Sequence, residues 1–226
     1  MNKINTENRS VDILSAGIRL EGTISIPDDP LGLVILVHGS GSSHYSPRNQ
    51  YVAQVLQDGG LATLLFDLLT VPEETIDLRT RHLRFDIDLL ARRTAGVLEW
   101  LDLQPFAYDL KRGLFGASTG AAAALIAAAE LPDKVDAIVS RGGRPDLANE
   151  SLANVRTPTL LLVGEEDEAV IGLNQQALAE MQPGLDKKLI VISGASHLFE
   201  EPGTLEQAAE LARDWFLAHL SPVNVR

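Results

Sequence analysis

From residue 33 almost to its end, the chain alternates short apolar runs with longer helical stretches, and few architectures accept that rhythm. Residues 33–37, 61–66, 112–115, 135–140, 159–163 and 188–192 read as strands. The run Leu33, Val34, Ile35, Leu36, Val37 is apolar throughout, as suits a strand covered on both faces. Between these runs, residues 46–57, 83–101, 119–130, 173–181 and 204–220 carry helical signals. Ser46-Pro47 supplies an N-cap with proline at the first helical position, and Asp58-Gly59-Gly60 supplies a stop. Ahead of this region, residues 11–26 read as two strands around a turn at Ala16-Gly17, with Ile18, Leu20, Ile24 and Ile26 at period two. The polar stretch 67–81 receives no assignment. The expectation is an α/β chain: an open, mostly parallel sheet with helices on both faces. Such sheets place their sites at the carboxyl ends of strands.

The chain has 226 residues, 45% of them apolar, enough for one sizeable core. The expected organisation is a polar tail over 1–10, one domain over 11–221 and a short tail over 222–226. A formal net charge of −12 argues against nucleic acid and anionic membrane surfaces as partners. The absence of cysteine excludes disulfides, thiolate metal sites and cysteine nucleophiles. The first ten residues lack the apolar core of a signal peptide, and the longest apolar stretches are too short to span a bilayer. A cytoplasmic protein, monomeric or homodimeric, is expected.

Gly116-Ala117-Ser118-Thr119-Gly120 falls between a strand and the alanine-rich segment 121–129. G-x-S-x-G requires this context: the turn is too sharp for side chains at its flanks, and it lifts the serine above the sheet at a helix N-terminus. Ser118 is therefore the candidate nucleophile. A serine hydroxyl needs a base. Of five histidines, His197 follows the last strand and alone satisfies the order serine, acid, histidine. The acid should follow the strand 159–163, where Glu165, Glu166, Asp167 and Glu168 all qualify. Such an acid would hold the histidine tautomer and stabilise the imidazolium.

His38-Gly39-Ser40-Gly41 follows the first apolar strand. Glycines let the backbone approach a substrate, and successive N–H groups can face one anion. The backbone N–H groups of Ser40 and Thr119 are the expected oxyanion donors. Gly39 and Gly41 are candidate substrate contacts, and His38 is expected to brace the loop.

These motifs resemble the α/β-hydrolase superfamily, and within it the compact dienelactone-hydrolase-like branch, over nearly the whole chain from residue 11. The shared marks are His38-Gly39, the Gly116–Gly120 turn, Gly164-x-x-Asp167 and Gly194-x-x-His197. The resemblance implies an eight-stranded sheet, no cofactor and no metal. It also implies ester or lactone hydrolysis through an acyl-enzyme and the triad Ser118, Asp167, His197. Dienelactone hydrolases proper carry cysteine where this chain has Ser118. The segment between Ser118 and Asp167 leaves no room for a large lid domain.

Residues 140–146, Ser-Arg-Gly-Gly-Arg-Pro-Asp, also follow a strand. They resemble a segment of a hydrolase branch sometimes fused to phosphoribosyltransferase domains. Arg141 and Arg144 could bind an anionic substrate group, or could brace a turn against Asp146; Arg48 has the same ambiguity. The leading expectation is a carboxylic-ester hydrolase acting on small or polymeric esters. Acyl transfer, thioester or peptide cleavage on the same triad, and a non-catalytic binding protein of the same fold, are the competing readings.

Overall fold

Ala16 and Gly17 both sit at positive φ, 49° and 80°, the backbone of a two-residue hairpin turn. The turn reverses β1 (Thr6–Ser15) into β2 (Ile18–Pro27). The computed structural model describes residues 5–222. Six further strands follow: β3 (Leu33–Val37), β4 (Ala62–Phe66), β5 (Arg112–Ala117), β6 (Ala137–Arg141), β7 (Thr159–Gly164) and β8 (Lys187–Ile192). They form one sheet in the order β1-β2-β4-β3-β5-β6-β7-β8. β1, β2 and β4 pair antiparallel, and all other neighbours pair parallel. The chain belongs to the α/β class expected of its pattern.

β1 begins at Thr6, inside the stretch expected as a tail, so the boundary set at residue 11 is corrected. Thr6 pairs with Pro27, and the ladder is continuous to Ser15. Most side chains between Thr6 and Ser10 are exposed, so backbone pairing holds this part and no apolar pattern announces it. Residues 1–4 of the expected N-terminal tail, and residues 223–226 of the C-terminal one, lie outside the described residues.

Strand alternation sends side chains to two cores. Leu33, Ile35, Val37 and Leu114 pack with α3 (Ile87–Leu101) and α4 (Thr119–Glu130). Val34, Leu36, Phe115 and Val139 pack with α1 (Pro47–Asp58) and α6 (Thr204–Leu220) on the other face. α4 is buried from Thr119 to Ala128, as expected of a helix apolar all round. Among the described residues, no helix is long and apolar enough to cross a membrane.

Three helices differ from the sequence expectation, the one expected over 173–181 by starting five residues earlier, at Glu168. The unassigned stretch forms α2 (Val71–Thr80), whose one buried residue is Asp77. Its stability comes from its ends: Thr70 and Glu73 form a reciprocal capping box, and Arg81 closes it in the left-handed region. α3 starts at Ile87 rather than 83 because Asp86 caps it, accepting from Leu89 N–H at 2.9 Å. Leu83–Phe85 is instead a 3-10 turn, with the N–H groups of Leu83 and Arg84 bound to Asp77 Oδ1 at 2.8 and 3.2 Å.

The order of strands reverses direction at β3. β4 lies on one side of it and β5 on the other, so the loops leaving β3 and β5 meet at a switch point.

Candidate active site

Ser118 sits at that switch point, between β5 and α4, with φ 49° and ψ −122°. A non-glycine residue there stores about 1–3 kcal/mol of backbone strain. The surroundings impose it. Ser118 N–H donates to Arg141 O at 3.4 Å, and Ser118 O accepts from Ala121 and Arg144 N–H, each at 3.1 Å. A Cβ on Gly116 would stand 2.4 Å from Ala121 Cα, and one on Gly120 would stand 2.3 Å from Val37 O. Both flanking glycines are therefore demanded by close approach of backbone to backbone.

His197 lies in the loop after β8. Its Nδ1 is 2.6 Å from Asp167 Oδ2. In the neutral ring Nδ1–H donates to the carboxylate, which leaves Nε2 as the acceptor. Nε2 has no partner among the described residues, and His197 borders the same cleft as Ser118. Asp167 immediately precedes α5 (Glu168–Glu180) but does not cap it; its carboxylate turns to the histidine. Its side chain is 15% exposed, and Glu165, Glu166 and Glu168 are exposed.

Glu165 has a different part. It accepts from Ser193 Oγ at 2.7 Å and Gly194 N–H at 2.9 Å. These bonds, the serine hydroxyl's first, hold its carboxyl below the ordinary glutamate range. Glu201 accepts from Ser196 N–H at 3.0 Å, which lowers its pKa in the same way. The two glutamates pin the histidine loop on both sides. No sequence motif singles them out.

Ser40 and Thr119 border the cleft beside Ser118, and neither backbone N–H has an acceptor among the described residues. Gly39 lies behind them, where a Cβ would stand 2.9 Å from Ser118 Cβ. Gly41 takes φ +70° and lies against Arg84 Nη1, away from the cleft. His38 braces this loop. Its Nε2 accepts from Leu68 N–H at 3.1 Å, so Nδ1 carries the proton and donates to Gly39 O at 2.9 Å. Burial lowers the pKa of His38 and favours the neutral ring.

The cleft holds about 350 Å³. Phe85, Ile87, Leu147 and Val170 form its apolar wall, drawn from three separate stretches of the chain. Arg144 borders it with the guanidinium held by Asp146 in two bonds of 2.8 and 2.7 Å, a pairing that raises the arginine pKa. Arg141 does not border it. Its side chain is buried on the opposite face of the sheet, near Phe115 and Phe199. Arg48 is paired with Glu200 at 3.1 Å.

A family model described as the alpha/beta hydrolase fold matches residues 32–155. The chain is 55% identical to a dienelactone hydrolase of solved structure from Anabaena variabilis; the match covers 95% of this chain and 99% of that one, with a TM-score of 0.92. A protein of Mycobacterium tuberculosis with a provisional phosphoribosyl transferase name is 54% identical over 213 residues. That match takes in 94% of this chain and 47% of the relative, so the chain spans about half the relative's length. A protein of Aquifex aeolicus provisionally named a carboxymethylenebutenolidase is 25% identical over 227 residues, which cover 93% of this chain and 98% of that one.

Proposed function

Because the chain belongs to the α/β-hydrolase family, in its dienelactone-hydrolase-like branch, we propose that it is a serine hydrolase that cleaves carboxylic esters or lactones through an acyl-enzyme on Ser118. Ser118 Oγ attacks the ester carbonyl while His197 Nε2 takes its proton. Asp167 keeps the imidazole in the required tautomer and stabilises the imidazolium. The N–H groups of Ser40 and Thr119 bind the oxyanion, helped by the positive end of the α4 dipole. Collapse expels the alcohol, which leaves with the proton from His197. A water deprotonated at His197 then releases the acid.

One observation carries this reading: the 2.6 Å contact of His197 Nδ1 with Asp167, which leaves the other ring nitrogen to a cleft headed by Ser118. The cleft supports the choice of substrate. Its volume and apolar wall suit a small acyl or aromatic group. The Arg144–Asp146 pair adds a polar edge.

A fluorophosphonate probe tests the proposal. Wild type should label on Ser118 and hydrolyse p-nitrophenyl esters, and Ser118→Ala should do neither. Absence of label on wild type, or equal labelling of the variant, ends the reading.

A further inference from the structure

Arg141 closes β6, paired in register with Ala117 of β5. Strand alternation sends Ser140 toward α4 and Arg141 to the other face, where α1 and α6 pack. Its guanidinium lies 6.0 Å from the centre of the Phe115 ring and 5.8 Å from that of Phe199. The residue is 7% exposed, and its Nε and Nη1 are shut off from solvent without a hydrogen-bond partner. No carboxylate pairs with it among the described residues; the neighbouring charge is Arg48, itself engaged by Glu200. Burial first, and Arg48 second, pull its pKa down to about 10, so it remains a cation at neutral pH.

This is an expensive way to fill a core. Desolvating a cation costs more than two cation–π contacts return, and an apolar side chain of similar length would serve the fold better. Local rules broken in this way are expected where function gathers the benefit. The surroundings show where. Arg141 O accepts the N–H of Ser118. The next residue, Gly142 at φ +51°, has room for no side chain, since a Cβ would stand 2.9 Å from His197 O. Phe199 follows His197 by two residues, is 1% exposed and is itself held at φ 56°. Arg141 thus touches both the serine turn and the histidine loop.

We infer that Arg141 is a positioning residue for the proposed hydrolysis: its guanidinium, buried beside the Phe199 ring, holds the His197 loop in register with the Ser118 turn. The inference rests on the roles given above to Ser118 and His197. A guanidinium is flat and rigid and can fix the orientation of an aromatic ring beside it. A methionine would fill the space with soft torsions and let Phe199 rock.

The test compares Arg141→Met and Arg141→Lys with wild type in melting temperature, in kcat and KM on p-nitrophenyl acetate, and in the NMR resonances of the His197 ring. Arg141→Met should melt at or above wild type while kcat falls about tenfold, KM stays within twofold and the His197 signals broaden or split. Unchanged kcat overturns the inference. So does a kcat loss that comes with a lowered melting temperature, because the residue would then only brace the fold. If Arg141→Met does not fold, Arg141→Lys decides: a severalfold drop in kcat at unchanged melting supports the role, and any other result overturns it. If wild type hydrolyses no ester, the proposed function fails by itself, and the His197 resonances still judge Arg141: unchanged signals in Arg141→Met overturn its role.

Discussion

Asp167 accepts from His197 at 2.6 Å although three glutamates flank it in sequence, and all three of those side chains are exposed. Exchange of Asp167 for asparagine keeps the shape but offers the ring an amide that can stabilise the wrong tautomer. Asp167→Asn should lose kcat/KM by on the order of 10⁴-fold, with little change in melting temperature. Glu166→Gln should stay within twofold of wild type. Steady-state kinetics on p-nitrophenyl acetate check both. A tenth or more of wild-type activity in Asp167→Asn would remove Asp167 from the mechanism.

His38 makes stability depend on pH. Its folded form resists protonation because the ring is buried, whereas the unfolded chain takes up a proton near the ordinary value of 6.5. Below that value the unfolded state binds more protons, so stability falls as pH drops from about 6.5 through the lowered folded pKa, and is fully present above it. Wild type should therefore melt progressively lower between pH 7 and pH 5. His38→Gln should melt lower overall, through hydrogen bonds worth about 1–3 kcal/mol, but its curve should be flatter over that window. Parallel curves for the two proteins would show that another group carries the dependence.

Phe85 is 57% exposed and forms part of the cleft wall. Under the proposed function it contacts the acyl group and no reacting atom. Phe85→Ala should raise KM roughly fivefold to tenfold for a butyrate or aromatic ester, the loss expected for part of a phenyl contact. For the acetate ester KM and kcat should barely move. Equal effects on both esters would place the acyl group elsewhere.

The sheet and the reactive loops were legible because each is a local matter. A five-residue apolar run marks a buried strand, and the glycines beside Ser118 mark a turn whose geometry allows nothing larger. The acid was not legible from the residues alone. Glu165, Glu166, Asp167 and Glu168 share one chemistry, and the choice depends on where α5 begins and where a loop 30 residues later returns. α2 escaped because it buries Asp77 and no apolar stripe; the signal present was its capping box, Thr70-Val71-Pro72-Glu73. Phe85, Ile87, Leu147 and Val170 meet only in three dimensions, so no window of sequence contains the cleft.

The burial of α4 on every side has a consequence for how such a protein can diversify. From Thr119 to Ala128 the helix has no free face, so a larger side chain there would displace the turn that carries Ser118. The apolar wall of the cleft is made instead by residues outside this helix, in three separate stretches of chain. Selection for a new ester should thus leave its mark around residues 85, 87, 147 and 170 and spare the alanines: the chemistry is inherited as a block, and the choice of substrate is negotiable.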